Sequence, residues 1–229
     1  MIKAHLYKSQ KEVSAMGEEQ LANYLTKILP MQRDWVMEME KEAKEENVPI
    51  MEPVSMHFVM LLIKVMKPKR ILEIGTAIGY SALRMVEAYP KVSVVTIEKD
   101  EVRYNKAIQH IKEQNKTENI TVVHGDALEK IEDMAAKKES FDLIFIDAAK
   151  GKYKRFFELA IPMLENGGLV LSDNVLFKGY VVRPEQAHSR HKKMVEHIQN
   201  YNDWLTKHPD FTTSIVPIGD GVAISLKNG

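Results

Sequence analysis

One glycine-bounded turn constrains this chain more than any other feature of its sequence. The apolar run Ile71-Leu72-Glu73-Ile74 leads into Gly75 and Gly79, and helix-forming residues follow. Glycine adopts backbone conformations that a side chain forbids and lets the backbone approach a ligand closely, while the N-terminus of a helix directs free N–H groups toward it. The segment therefore predicts a strand, a tight turn and a helix that together hold a nucleotide.

The spacing of this turn selects among nucleotide cofactors. A dinucleotide fold uses Gly-x-Gly-x-x-Gly, whose middle glycine makes room for a pyrophosphate, whereas this chain has Glu-x-Gly-x-x-x-Gly. A cofactor without a pyrophosphate is therefore favoured. S-adenosylmethionine fits, because Glu73 could help to hold its cationic amino-acid half.

A second acidic residue supports this hypothesis. Glu98 ends the apolar, β-branched run of residues 92–97, 23 residues beyond Gly75. An acid at the tip of the second strand can accept hydrogen bonds from both ribose hydroxyls. The alternative is a solvated loop charge beside Lys99 and Asp100.

Length and composition restrict the remaining possibilities. The 229 residues suit one α/β domain over 1–229, with residues 1–16 expected to be a mobile extension and 17–66 to form N-terminal helices. Lys and Arg equal Asp and Glu at 32 each, and cysteine is absent, which excludes thiolate catalysis and Cys-based zinc sites. No apolar run is long enough to span a membrane and no signal peptide is recognisable, so we expect a cytoplasmic protein without a membrane partner.

Alternating strand and helix patterns predict a parallel sheet covered by helices. The tail reads as two strands joined by a tight turn, a hairpin that would insert one antiparallel strand. Strands are predicted at 70–74, 92–97, 120–124, 141–146, 169–172, 213–218 and 222–226, and helices include 18–46 (broken near Pro30), 55–66, 80–89, 101–114, 128–138, 153–164 and 188–207.

Polar side chains follow the fourth and fifth strands. Ligands of open parallel sheets bind beyond the carboxyl ends of the strands, where this chain has Asp147, Lys150, Asp173 and Asn174. Two carboxylates and an amide oxygen form a hard oxygen site for Mg²⁺ or a similar ion, and Lys150 beside it could take a proton from a bound hydroxyl. Taken singly, these residues could instead be a helix cap, a surface cation and an Asx turn.

Five motifs in order resemble the metal-dependent class I O-methyltransferases of the catechol and caffeoyl-CoA type, from about residue 48 to the end. They are Leu72-Glu73-Ile74-Gly75-Thr76, Gly79-Tyr80-Ser81, Gly125-Asp126-Ala127, Phe145-Ile146-Asp147-Ala148-Ala149-Lys150 and Ser172-Asp173-Asn174-Val175-Leu176. The resemblance implies a Rossmann-like, seven-stranded, mostly parallel sheet with a C-terminal antiparallel hairpin, helices on both faces, and a homodimer.

The same resemblance implies a role for each site residue. Asp147, Asp173 and Asn174 would hold Mg²⁺ (or Mn²⁺), with Lys150 as general base. The S-adenosylmethionine set would be Glu73, Gly75 and Ser81 at the methionine moiety, Glu98 at the ribose, Asp126 and Ala127 at the adenine, Met51 in the segment that closes over the cofactor, and Asp147 beside it.

Within that family the chain is most similar to the bacterial tRNA 5-hydroxyuridine methyltransferases, through the segments Val48-Pro49-Ile50-Met51 and Gly219-Asp220-Gly221 among others. The 5-hydroxyl and 4-carbonyl oxygens of 5-hydroxyuridine are adjacent, as the oxygens of a catechol are. Residues 150–193 hold nine Lys or Arg against four acids, a basic stretch that could contact the tRNA anticodon region or be an ordinary solvated face. The other hypotheses are a small catechol-like or phenolic acceptor, and a non-catalytic S-adenosylmethionine-binding module.

Overall fold

A seven-stranded sheet organises the protein. The computed structural model describes residues 20–229, and the strands lie in the order β3-β2-β1-β4-β5-β7-β6. The pairs among β1 to β5 are parallel, whereas β7 runs antiparallel to both β5 and β6. The predicted fold class, including the inserted antiparallel strand, is confirmed.

The strand bounds follow the apolar runs closely. They are β1 Arg70–Ile74, β2 Ser93–Glu98, β3 Ile120–His124, β4 Phe141–Ile146, β5 Leu164–Ser172, β6 Phe211–Val216 and β7 Val222–Lys227. In β4, Leu143 and Phe145 face one core while Ile144 and Ile146 face the other. Helices cover both faces of the sheet, so both sets of alternating side chains are buried, and the strand is continuously apolar for that reason.

Eight helices of the described residues surround the sheet. They are α1 at 20–27, α2 Asp34–Glu45, α3 Pro53–Met66, α4 Tyr80–Ala88, α5 Glu101–Glu113, α6 Ala127–Ala136, α7 Tyr153–Ala160 and α8 Lys192–Thr206. The break predicted near Pro30 lies between α1 and α2. Across the described 20–229 stretch, no helix is both long and apolar enough to cross a membrane.

One predicted helix was placed wrongly at its end. Residues 153–164 were predicted as a single helix, but α7 stops at Ala160 and a 3-10 turn follows over Ile161–Met163. Pro162 lacks the N–H that an α-helical hydrogen bond needs, so the helix ends before it. Strand β5 then starts at Leu164, five residues earlier than predicted, and includes a register shift before it rejoins β4 at Leu169.

The order of the strands determines where a ligand can bind. The chain builds outward from β1 to β2 and β3, and then returns to β4 and β5 on the other side of β1. The crevice between the carboxyl ends of β1 and β4 is the switch point at which open sheets of this type bind ligands. The residues predicted from the motifs lie around that crevice.

Candidate active site

A cavity of about 340 Å³ opens at the carboxyl ends of strands β1 to β5. Its walls come from the turns that follow these strands and from the segment of residues 49–51 in front of α3. The predicted site residues in its lining are Met51, Gly75, Ser81, Glu98, Asp126, Ala127, Asp147, Lys150 and Asn174.

The first glycine of the turn makes room for the protein's own backbone. Gly75 has φ +106°, and a Cβ on it would collide with the carbonyl oxygen of Asp147. The N–H of Asp147 donates to the Ile74 carbonyl at 3.0 Å, which holds the two turns together. Gly79 precedes α4 in the left-handed region at φ +86°. The glycines are therefore needed for the close approach of two turns as well as for space around a ligand.

Glu73 lies behind the cavity wall in a buried hydroxyl network. The Ser81 hydroxyl donates to Glu73 Oε1, and the Thr96 hydroxyl donates to Oε2 at 2.5 Å. Thr76 shares a 2.6 Å hydrogen bond with Thr96. Burial raises the pKa of Glu73 to about 7, although both hydroxyl donors oppose that rise. Because Glu73 is fully buried and is not among the residues that line the cavity, it reaches the cavity only through Ser81, which does line it.

Glu98 is held by the backbone around it at the tip of β2. Its Oε1 accepts the N–H groups of Lys99 and Asp100, both at 2.9 Å, and its Oε2 accepts the N–H of Ala77 at 2.8 Å. The side chain is 8% exposed and lines the cavity. Glu98 is thus not the freely solvated loop charge of the alternative interpretation. A carboxylate accepts about four hydrogen bonds, so Oε2 keeps capacity for a ligand hydroxyl.

The far end of the cavity is built by Asp126 and Ala127. Asp126 caps α6 by accepting the N–H of Leu128 at 2.9 Å, and that hydrogen bond lowers its pKa. Lys152 Nζ lies 3.5 Å from the other carboxylate oxygen. Met51 closes the near side and is 2% exposed.

The tips of β4 and β5 bring the predicted metal ligands to one place. Asp147 follows β4, and the N–H of Asp173 donates to the Ile146 carbonyl at 3.0 Å, so the two aspartates leave neighbouring strands side by side. Asn174 follows in the left-handed region at φ +56° and lines the cavity. Burial raises the pKa of both Asp147 and Asp173, and the negative charge of Asp147 raises that of Asp173 further.

The donor set around these aspartates fits a hard cation. Asp173 is 1% exposed, and its Oδ1 is a buried acceptor without a hydrogen-bond partner among the described residues. Such an acceptor is costly unless a partner occupies the site. Nowhere in residues 20–229 do three or more His, Cys, Asp or Glu side chains form a possible metal group. The third ligand predicted here is the amide oxygen of Asn174, and carboxylate plus amide oxygens are the donors that Mg²⁺ accepts.

Lys150 lines the same cavity, beside Asp147. It begins a 3-10 turn after β4, and its Nζ lies 3.7 Å from Asp147 Oδ1. The ammonium also lies 5.9 Å from the ring centroid of Tyr153. Its side chain is only 18% exposed, so it is not the ordinary surface cation of the alternative interpretation.

Several residues of the site were given no role by the sequence analysis. Thr76 and Thr96 complete the network around Glu73, and Tyr153 donates its hydroxyl to the Asp173 carbonyl at 3.0 Å. A threonine in the middle of an otherwise apolar strand was the available signal for Thr96. Arg103 and Lys152 also line the cavity.

The chain matches known proteins over nearly its whole length. A family model described as O-methyltransferase matches residues 29–228. The chain belongs to this O-methyltransferase family. Among curated relatives, a flavonoid 3',5'-methyltransferase of Vitis vinifera is 29% identical over 198 residues, which are 84% of this chain and 83% of that protein.

The comparison with solved structures agrees with this family assignment. A Staphylococcus aureus structure provisionally named a caffeoyl-CoA O-methyltransferase is 35% identical with a TM-score of 0.85, covering 91% of this chain and 100% of its own. A Bacillus cereus O-methyltransferase in complex with SAH, the demethylated cofactor, is 25% identical with a TM-score of 0.80, covering 91% of this chain and 97% of its own. The chain is therefore an S-adenosylmethionine-dependent O-methyltransferase, and the enzymatic prediction is favoured over the non-catalytic module.

Proposed function

We propose that this enzyme methylates one of two adjacent oxygens on a planar ring, with a divalent cation held by Asp147, Asp173 and Asn174 and with Lys150 as general base. The observation that carries this proposal is the buried, unpartnered Oδ1 of Asp173 beside the carboxyl group of Asp147, which is partly buried and lines the cavity. A buried acceptor without a hydrogen-bond partner costs free energy, and so does the repulsion between two neighbouring carboxylates. A bound cation would reduce both costs.

Each side chain has a distinct task in this reaction. S-adenosylmethionine supplies the methyl group, with Ser81, backed by Glu73, at its methionine end and Glu98 at its ribose. Mg²⁺ or Mn²⁺ would supply the charge that favours the deprotonated acceptor. Lys150 Nζ, in its neutral form, would accept the proton of the acceptor hydroxyl, since it lies next to Asp147 at the mouth of the cofactor cavity. Asp126 and Ala127 enclose the adenine end, and Met51 closes over the cofactor on the near side.

For the acceptor we propose 5-hydroxyuridine at the tRNA wobble position, which would become 5-methoxyuridine. The adjacent 5-hydroxyl and 4-carbonyl oxygens could both face the cation. The charge pattern supports a nucleic-acid partner. The basic stretch of residues 150–193 divides into a first half whose cations lie beside acidic side chains and a second half whose cations, among the described residues, do not. Lys150, Lys152, Lys154 and Arg155 lie beside acidic side chains.

The second half of the stretch is available to phosphates. It holds five exposed cations for which the described part of the chain provides no ion pair, and which we name the basic segment: Lys178, Arg183, Arg190, Lys192 and Lys193. Exposed cations beside an active site are the electrostatic feature that a nucleic-acid backbone requires. A tRNA acceptor would also place the reaction in the cytoplasm.

A small phenolic or catechol-like acceptor is the second candidate. It is favoured by the names of the relatives, which refer to caffeoyl-CoA and to a flavonoid. The same metal ligands and the same base would serve it, but the basic segment would have no part in binding it. Binding of the acceptor should therefore weaken with rising salt concentration for tRNA, but not for a small phenol.

We also propose that the enzyme is a homodimer. Two helices expose large apolar side chains, namely Leu21, Tyr24 and Ile28 around α1 and Leu61 and Val65 on α3, with Val65 73% exposed. Surfaces of this kind are frequently covered by a partner. Sedimentation analysis should show a dimer for the parent protein and a monomer for the Leu61→Asp/Val65→Asp variant.

The acceptor is identified by nucleoside mass spectrometry. tRNA from a strain that lacks the gene should lose 5-methoxyuridine and accumulate 5-hydroxyuridine, and the purified enzyme with Mg²⁺ should methylate that tRNA. Methylation of a small catechol by the same preparation, with no change in the tRNA of the deletion strain, would instead establish the second candidate.

A further inference from the structure

The segment after the proposed metal ligands adopts an unusual backbone. Residues 174–181, here called the acceptor loop, begin at Asn174, which lines the active-site cavity. Phe177 and Lys178 lie consecutively in the left-handed region, at φ +39° and +54°. Side chains disfavour this region, and such conformations persist only where the surrounding structure fixes them.

The turn between β6 and β7 supplies much of that fixation. The Asp220 carboxylate accepts the N–H of Lys178 at 3.1 Å, and the Asp220 carbonyl accepts the N–H groups of Leu176 and Phe177 at 2.8 and 3.2 Å. The next carbonyl, of Gly221, accepts the N–H of Val175 at 3.0 Å. Four consecutive N–H groups of the acceptor loop are thus bound by two residues of one turn.

Helix α8 holds the opposite side of the acceptor loop. Asn202 donates its side-chain N–H to the Val175 carbonyl at 2.7 Å, and Gln199 donates to the Val181 carbonyl at 2.8 Å. These bonds fix the beginning and the end of the loop. The two left-handed residues between them depend on Asp220.

The same turn also contacts the cofactor side of the cavity. A Cβ on Gly219 would lie 2.9 Å from Glu52 Oε2 and would collide with the Ser55 hydroxyl, so the turn packs directly against the start of α3. Glu52 follows Met51, which closes the cofactor cavity. A Cβ on Gly221 would collide with Leu176. The turn therefore packs between the start of α3 and the acceptor loop.

We propose that Asp220 is a positioning residue of the methyl transfer: its carboxylate fixes the left-handed backbone of the acceptor loop and thereby places the acceptor against Asn174 and Lys150. This inference rests on the roles proposed above for Asn174 and Lys150, and on no particular acceptor. A displacement of a reacting group by a fraction of an ångström reduces the rate strongly, so a loop that borders the acceptor must be rigid.

The test compares Asp220→Ala with Asp220→Asn, which keeps an oxygen for the Lys178 N–H. Thr213→Ala is the matched control, because it removes a 2.9 Å hydrogen bond to Ser225 in the same hairpin, away from the loop. Each Mg²⁺-loaded variant is assayed with catechol and with tRNA that contains 5-hydroxyuridine, SAH affinity is measured by calorimetry, and limited trypsin digestion follows the fragment that ends at Lys178.

Asp220→Ala should reduce acceptor kcat/KM about tenfold, the usual order for removal of a hydrogen bond to a carboxylate, while SAH affinity stays within about twofold. Trypsin should cleave after Lys178 several times faster. Asp220→Asn should restore most of both properties, and Thr213→Ala should resemble the parent.

Three outcomes overturn the proposal. One is an unchanged cleavage rate at Lys178 in Asp220→Ala, a result that counts even where neither acceptor is methylated. Another is a loss of SAH affinity as large as the loss of kcat/KM, which indicates a general structural role. The third is Asp220→Asn as impaired as Asp220→Ala, since charge rather than the hydrogen bond would then matter.

Discussion

The two halves of the active site satisfy their polar groups in opposite ways. In the cofactor half, Glu73 and Glu98 accept hydrogen bonds from hydroxyls and backbone N–H groups of the protein itself. In the acceptor half, Asp173 keeps a buried oxygen that has no partner within the described residues, beside Asp147. A site whose donors and acceptors are already paired is preorganised, whereas one with an unpaired buried acceptor requires a ligand to complete it. The comparison predicts that metal and base changes affect turnover, while changes around Glu98 affect cofactor affinity.

The largest effect is expected at the proposed metal ligands. Asp173→Ala removes the unpaired acceptor and one of two carboxylates, so methyl transfer should fall below detection in a radiolabelled-methyl assay with Mg²⁺. SAH affinity, measured by calorimetry, should stay near the parental value because Asp173 does not line the cofactor cavity. Wild-type turnover in this variant would show that methyl transfer does not need a cation held by Asp173.

Lys150→Ala should affect turnover next most strongly. Loss of a general base typically costs about 10²- to 10⁴-fold in rate, and kcat should fall by that order while SAH affinity is retained. Lys154→Ala is the matched control, because Lys154 lies four residues on and pairs with Glu158 on the surface. If calorimetry shows that Lys150→Ala abolishes cofactor binding, Lys150 belongs to the cofactor half.

The buried network of the cofactor half gives a pH effect. The pKa of Glu73 is raised from 4.5 to about 7, so the folded protein binds more protons than the unfolded chain between these values. Stability should therefore decline as pH rises from about 4.5 to 7 and level off above it, by roughly 3 kcal/mol in all from this group. Glu73→Gln should flatten that part of the curve in urea unfolding of the ligand-free protein. An unchanged slope would show that Glu73 is not the group that titrates.

A smaller effect is expected at Glu98. Glu98→Ala removes the proposed acceptor of the ribose hydroxyls and leaves three backbone N–H groups without their carboxylate, so SAH binding should weaken by about 1–3 kcal/mol. At saturating cofactor, kcat should change little. If calorimetry finds parental affinity, the ribose is held elsewhere.

The smallest effect tests the acceptor. Neutralising Arg190, Lys192 and Lys193 together should raise KM for tRNA several-fold and leave KM for catechol unchanged. For each tRNA phosphate that the variant no longer neutralises, the slope of log K against log salt should become shallower by about 0.9. Equal tRNA methylation by parent and variant would show that these cations are only a solvated face.

The bounds of several strands could be predicted because the sequence pattern that indicates a strand is local. The strands β1, β3 and β4 have the predicted bounds, since each is a short apolar run between polar turns. The end of α7 was missed although Pro162 marks it. Eight of the nine predicted residues that line the cavity lie at or shortly after a strand tip, which a local apolar run identifies, and Met51 lies in the segment before α3.

Features that depend on distant parts of the chain could not be predicted. Gly75 is required by the carbonyl of Asp147, which lies 72 residues away in the chain. The tight turn around Asp220 was predicted, but its hydrogen bonds to the acceptor loop depend on where β7 inserts. The indirect position of Glu73 behind Ser81 is likewise a product of packing between β1, β2 and α4.

One measurement tests the division of the active site most directly. The enzyme is stripped with EDTA, and transfer of labelled methyl from S-adenosylmethionine to catechol and to tRNA that contains 5-hydroxyuridine is followed before and after Mg²⁺ is added in excess, with SAH affinity measured on the same samples. We expect no transfer in EDTA, recovery with Mg²⁺ or Mn²⁺, and the same SAH affinity throughout. Full transfer by the stripped enzyme would contradict this expectation.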